Sequence, residues 1–155
     1  MQKYECILRE INVEIEKFNT LLAEGLRIAP LNVSNPESCL VIAGVPFEEQ
    51  AWPYSGSPGV YICCAHDQND PTRLGAYIGK SSRAIGFRVW HHLNPHRATK
   101  IYQMKDRSGQ IFIIEAIVCV GLLEPRMKTF ASALEEFIIA GVKGRVHLLN
   151  RSGNL

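Results

Sequence analysis

A small α/β (α+β) domain with a mostly antiparallel, three-stranded sheet flanked by helices is predicted from three features of the sequence. Residues 59–65 and 76–79 are β-rich runs on either side of a polar turn, and residues 111–123 form a third, β-branched and apolar run. Helical periodicity follows the second and third runs, and an amphipathic stretch precedes them all. A chain of 155 residues is long enough to bury one core without disulfides or a structural metal.

Residues 4–24 read as an N-terminal amphipathic helix. Tyr4, Leu8, Ile11, Ile15, Phe18 and Leu22 alternate spacings of four and three, laying one apolar stripe along it, with Gly25 as a stop. The stripe can pack within the chain or on a second copy as a short coiled coil that makes a homodimer; its three heptads are few for a coil, which favours packing within the chain. Residues 29–58 carry Pro30, Pro36, Pro46, Pro53 and Pro58 and read as connecting chain, with a short strand expected within 39–45 and an ordered loop at 52–58. The expected organisation is therefore a helix and Pro-rich connection over 1–58 and an α/β domain over 59–155. In that domain, 59–65 and 76–79 form a hairpin. Ser81 or Ser82 caps a helix running to about Leu93, which Asn94-Pro95 ends. Residues 111–123 are almost wholly apolar, as a central strand is. The last helix spans 129–142, with Phe130, Ala133, Leu134, Phe137, Ile138 and Gly141 as its core stripe.

No apolar run approaches the ~18–20 residues needed to span a bilayer. The start, MQKYECILRE, carries acids where a secretory signal needs a basic end and an apolar stretch, so a cytoplasmic chain is expected. The five cysteines are odd in number and contain no C-x-x-C pair, which fits free thiols better than a disulfide framework. Cys63 and Cys64 are adjacent, so a strand would point them to opposite faces. Charge is uneven: residues 1–58 hold four Lys/Arg against eight Glu, and residues 59–155 hold thirteen Lys/Arg against seven acids. Within 80–107 seven Lys/Arg face one acid, Asp106, which suggests a polyanionic partner as much as an ordinary basic surface.

Glu135 stands out. At helical spacing it neighbours Ala131, Ile138, Ile139 and Val142, whereas Glu136 neighbours Ser132, Ala140 and Lys143. A carboxylate among apolar side chains is costly unless it is paired or binds a metal, though taken alone an exposed helix edge is the more ordinary account. Arg88 and His92 lie four apart and share a helical face, suited to contacting a phosphate and to donating to an oxyanion, or simply to facing solvent. Gly79-Lys80-Ser81 lacks the bracketing glycines of a P-loop, and the Cys and His spacings match no zinc template.

Gly59-Val60-Tyr61 and Tyr77-Ile78-Gly79, sixteen residues apart from Tyr61 to Tyr77, together with Lys80, Arg88, the helix around Glu135, and Asn150, resemble the GIY-YIG nuclease superfamily over about residues 59–150. The resemblance implies a metal-dependent endonuclease. In it Tyr61 faces the attacking water as general base, and Tyr77 brings its hydroxyl to the same phosphate. Lys80 holds charge near the phenols, Arg88 contacts the scissile phosphate, and His92 lies one turn beyond it. Glu135 is the protein carboxylate on a divalent metal, and Asn150 lies near the phosphate. Oxygen ligation through one carboxylate suits Mg²⁺ or Mn²⁺.

Double-stranded DNA is the expected partner, and Arg83, Arg97, Lys100 and Lys105 in the basic window are the candidate backbone contacts. Two other readings stand beside this one: a nucleic-acid-binding module that does not cut, and an interaction protein acting through its N-terminal helix.

Overall fold

The computed structural model describes residues 2–31, 39–41, 54–96 and 98–150. Helix α1 (Glu5–Asn19) is followed by strands β1 (Cys39–Val41), β2 (Gly59–Asp67) and β3 (Leu74–Ser81) and by helix α2 (Ile85–Leu93). Strands β4 (Gln103–Lys105) and β5 (Ile111–Gly121) and helix α3 (Phe130–Val142) complete the order.

The α+β class and the antiparallel pairing agree with the sequence reading, but the strand number does not. Among the described residues the sheet has five strands rather than three. β5 pairs antiparallel with β2, which pairs antiparallel with β3, and the short β1 and β4 both lie antiparallel along β5. β4 consists of Gln103-Met104-Lys105, too short and too polar to announce itself as a strand.

Period-two alternation divides the sheet into two packed faces. Val60, Ile62 and Cys64 of β2 point toward α1 and α3, and Tyr61, Cys63 and Ala65 point toward α2. The adjacent cysteines thus face opposite cores, and Cys63, Cys64 and Cys119 are all buried. In β5 the parity changes once. Phe112 and Ile114 lie on the α2 face, as do Ile117 and Cys119, because a bulge at Glu115 inserts one residue between the two registers. The carboxylate of Glu115 gathers Lys3 (2.5 Å), the Tyr4 hydroxyl (2.5 Å) and His66 Nδ1 (3.3 Å).

The α1 stripe is buried within the chain at Tyr4, Leu8, Ile11, Ile15 and Phe18, with Leu22 half-buried. Phe18 meets Phe137 of α3 edge-on at 5.3 Å between ring centres. Residues of the 1–58 region therefore share one core with those of 59–155. The helix ends earlier than its periodicity suggests, at Asn19. Asn19 and Asn12 each use their side-chain amide as a backbone mimic, exchanging paired hydrogen bonds with Ile28 and Leu31 at 2.7–2.8 Å. The chain after α1 is thereby strapped back along it.

The start of α2 also departs from expectation. Neither serine caps α2 directly: its N-cap is Ala84, and Ser81 Oγ accepts from the Ala84 amide (3.0 Å) one step earlier. The first amides of α2 instead donate to the preceding loop, Ile85 to the Ser57 carbonyl and Gly86 to that of Ser55, both at 2.9 Å. In α3 the buried line is Ala131, Leu134, Glu135, Ile138 and Val142; Ala133 is exposed, and Phe130 and Phe137 are half-buried.

Candidate active site

Beyond the hairpin, residues 147–149 run along the outer edge of β3. The Ala76 amide donates to the His147 carbonyl and the Leu149 amide to the Ala76 carbonyl, both at 2.9 Å. Asn150 extends this ladder with its side chain: Oδ1 accepts from the Ile78 amide (3.0 Å) and Nδ2 donates to the Ile78 carbonyl (2.7 Å). The sheet edge is thereby closed as far as Ile78. Past it lies a pocket of about 570 Å³ whose lining includes Tyr77, Lys80, Arg83, Arg88, Ser132, Glu135 and Asn150.

The pocket wraps the end of β3. Tyr77 and Lys80 leave that strand on opposite faces, Tyr77 toward α2 and Lys80 toward α3. Helix α2 supplies Arg88 and α3 supplies Ser132 and Glu135, three apart on one helical face. Lys80 Nζ donates to Ser132 Oγ at 2.6 Å and lies 3.5 Å from Glu135 Oε2.

Glu135 is buried and Glu136 is exposed, as their helical neighbours indicated. Burial pushes the Glu135 carboxyl above its ordinary value, and Glu136 adds to this; Lys80 and Arg88 oppose it. Among the lining side chains Lys80, Arg83 and Arg88 are cationic and Glu135 is the single carboxylate. Such a site suits an anionic ligand.

The two tyrosines are not equivalent. Tyr61 is completely buried, and among the described residues its hydroxyl has no hydrogen bond of ordinary geometry. Its ring crosses Gly79, where a Cβ would come within 2.4 Å of Tyr61 Cζ and 2.8 Å of Tyr77 Cε1. That close approach explains the glycine. Burial drives the Tyr61 phenol far above its usual value, Cys63 and Tyr77 add to the shift, and Arg88 opposes it.

Tyr77 is half-buried and lines the pocket. Its phenol is raised by burial and by Cys63, with Tyr61 and Arg88 pulling the other way. His92 packs against both rings, 5.9 Å from Tyr61 and 5.3 Å from Tyr77 between centres. Burial and the cation of Arg88 hold the imidazole below its ordinary value, which favours the neutral ring. His92 thus walls the phenols without lining the pocket.

Of the catalytic set that the resemblance implied, Tyr77, Lys80, Arg88, Glu135 and Asn150 line this pocket, and Arg83 of the basic window joins them. Tyr61 and Asn150 are held differently from the others. Tyr61 faces the interior rather than an attacking water, because the hairpin buries its side of β2 beneath α2. Asn150 lines the pocket, but both ends of its amide are engaged by Ile78.

Among the basic-window residues, Lys105 lies on β4 opposite Ile111, at the end of the sheet marked by Asp67, whereas Lys80 lies near the Gly59 end. The two ends are separated by about 25 Å at ~3.4 Å per residue. Lys100 is exposed in the turn before β4 and does not line the pocket, and Arg97 lies outside the described residues. Ser132, which was not among the residues expected at the site, lines it too. Its signal was the i, i+3 spacing from Glu135.

A divalent cation would find here one pocket-facing carboxylate, neighbouring serine hydroxyls and room for water, which fits an oxygen-ligated ion held at a single protein anchor. Among the described residues, no group of three or more His, Cys, Asp or Glu could hold a metal ion. Among the same residues no helix is long and apolar enough to cross a membrane. No protein-family model, curated protein or solved structure gives a significant match to the chain.

Proposed function

We propose that the chain is a GIY-YIG-type endonuclease that hydrolyses phosphodiester bonds in DNA with Mg²⁺ or Mn²⁺. The observation that carries this reading is the convergence of Tyr77, Lys80, Arg88 and Glu135 from three separate elements on one cationic pocket. Residues scattered over the sequence share a small site with the composition phosphodiester chemistry requires.

Arg88 and Arg83 bind the phosphate oxygens, Arg88 through its planar fork, and oppose the charge that builds in the transition state. Tyr77 takes over the base role that the resemblance gives Tyr61, because it is the phenol that lines the pocket. Tyr61 and His92 hold the Tyr77 ring in place from behind. Lys80, held by Ser132, balances the charge of Glu135. A metal on Glu135 would supply charge stabilisation at the phosphate and leaving oxygen.

Nicking of supercoiled plasmid tests the proposal. Conversion to open circles with Mg²⁺ or Mn²⁺, abolished by chelation and by Glu135→Gln, is expected. A second reading, a module that holds DNA without cutting, is favoured by one observation: the Lys80 ammonium already sits beside Glu135, where a metal would compete with it. DNA binding with no nicking under either metal ion would select that reading.

A further inference from the structure

The outward side of α2 carries large aromatic side chains that the core does not use. Phe87 is 67% exposed and Trp90 37% exposed, and they lie three apart on the helix. His91 stands between them, edge-on to Phe87 at 4.5 Å and to Trp90 at 5.2 Å. Phe87 also lines the pocket, so its exposed ring forms part of the rim next to Arg88 and Arg83.

We propose that Phe87, Trp90 and His91 form a stacking platform for an unpaired nucleotide base beside the cleaved phosphate, so the preferred substrate carries a bulged, flipped or single-stranded base. The inference rests on the reading of the pocket as a phosphodiester site. Two features commit the ridge to nucleic acid rather than to a protein partner. The helix and its flanks contain no Asp or Glu from Lys80 to Lys105, and the aromatic rim is continuous with a pocket lined by three cations. Aromatic rings beside cations suit a ligand with anionic backbone and free π-faces. Paired bases within a duplex have both faces covered by their neighbours and offer none to Phe87. An unpaired base does.

The test is fluorescence anisotropy with the full chain in chelator, where binding is read without cleavage. The probes are a fully paired DNA duplex and the same duplex with one unpaired 2-aminopurine. The bulged duplex is expected to bind at least ~10-fold more tightly, with 2-aminopurine fluorescence quenched on binding. Phe87→Ala is expected to lose about 10-fold on the bulged duplex and less than about 2-fold on the paired one. Phe87→Leu, which keeps an apolar side chain but no aromatic face, is expected to behave like Phe87→Ala and so guards against a folding defect in the smaller variant.

Equal affinity of the wild type for both duplexes, or variants that weaken both equally, would overturn the platform while leaving the phosphodiesterase reading intact if paired DNA is still cut. Absence of binding to either duplex would overturn both.

Discussion

Lys80 Nζ lies 3.5 Å from Glu135 Oε2, joining the end of β3 to a carboxylate buried on α3. The contact links fold and site. Glu135 interrupts an apolar helix line that would pack more comfortably without it, and Lys80 together with its hydrogen bond to Ser132 supplies partial compensation.

Glu135→Gln is expected to stabilise the fold while removing activity. Burial raises the folded-state pKa above the ordinary 4.5, so the folded chain holds that proton more tightly than the unfolded chain does. The associated stability is present at low pH and is lost as pH rises through the folded pKa, leaving ionised Glu135 destabilising at neutral pH. Calorimetry at pH 7 should show a melting temperature higher by roughly 1–5 °C for the variant. The difference should shrink as pH is lowered toward 4.5.

The two tyrosines should separate kinetically. Tyr77→Phe is expected to slow cleavage about 10²–10⁴-fold, and Tyr61→Phe substantially less. Because the Tyr77 phenol is raised, the wild-type rate should climb with pH across the neutral and mildly alkaline range. A larger loss at Tyr61 would return the base role to Tyr61, and a flat profile would exclude either raised phenol as the base.

Gly79→Ala should injure the site through packing. The added methyl would collide with the Tyr61 ring, at a cost of about 1–3 kcal/mol in chemical denaturation. Cleavage should fall with it, since the same ring backs Tyr77.

Asn150→Ala should act on the edge of β3. It removes both hydrogen bonds to Ile78 and leaves a buried amide and carbonyl without those partners, for about 2–4 kcal/mol in total. Asn150→Asp keeps the acceptor and loses the donor, so it should fall between the alanine variant and wild type.

Acid stability should depend on Asp106. Burial pushes this carboxyl up, but hydrogen bonds from Ser108, Gln110 and His147 outweigh burial and hold it below its ordinary 3.8. Its contribution is therefore present above that value and lost as pH falls through the folded pKa. Asp106→Asn should be less stable than wild type at pH 7, with the gap closing in acid as measured by urea denaturation.

Much of this architecture was legible because it rests on local pattern. The alternation of β2, the apolar run of β5 and the spacing of α1 each report burial directly. Glu135 was legible because its helical neighbours are apolar while those of Glu136 are not. The features missed depend on tertiary partners. Asn12, Asn19 and Asn150 act as backbone substitutes for residues 9 to 72 positions away, and nothing in an asparagine announces that. The sealing of Tyr61 depends on α2 folding over the hairpin, which strand alternation alone does not reveal. The bulge at Glu115 changes which β5 residues face α2 without any turn residue to mark it.

The most direct test of the pocket as a phosphodiester-cleaving site is single-turnover hydrolysis of end-labelled DNA by wild type and Glu135→Gln in Mg²⁺, paired with their affinity for that DNA in chelator. Expected are metal-dependent cleavage by the wild type, a loss of about 10³-fold or more in the variant, and affinities alike within about 3-fold. Equal cleavage by the two proteins, or no cleavage by a wild type that binds the DNA, would contradict it.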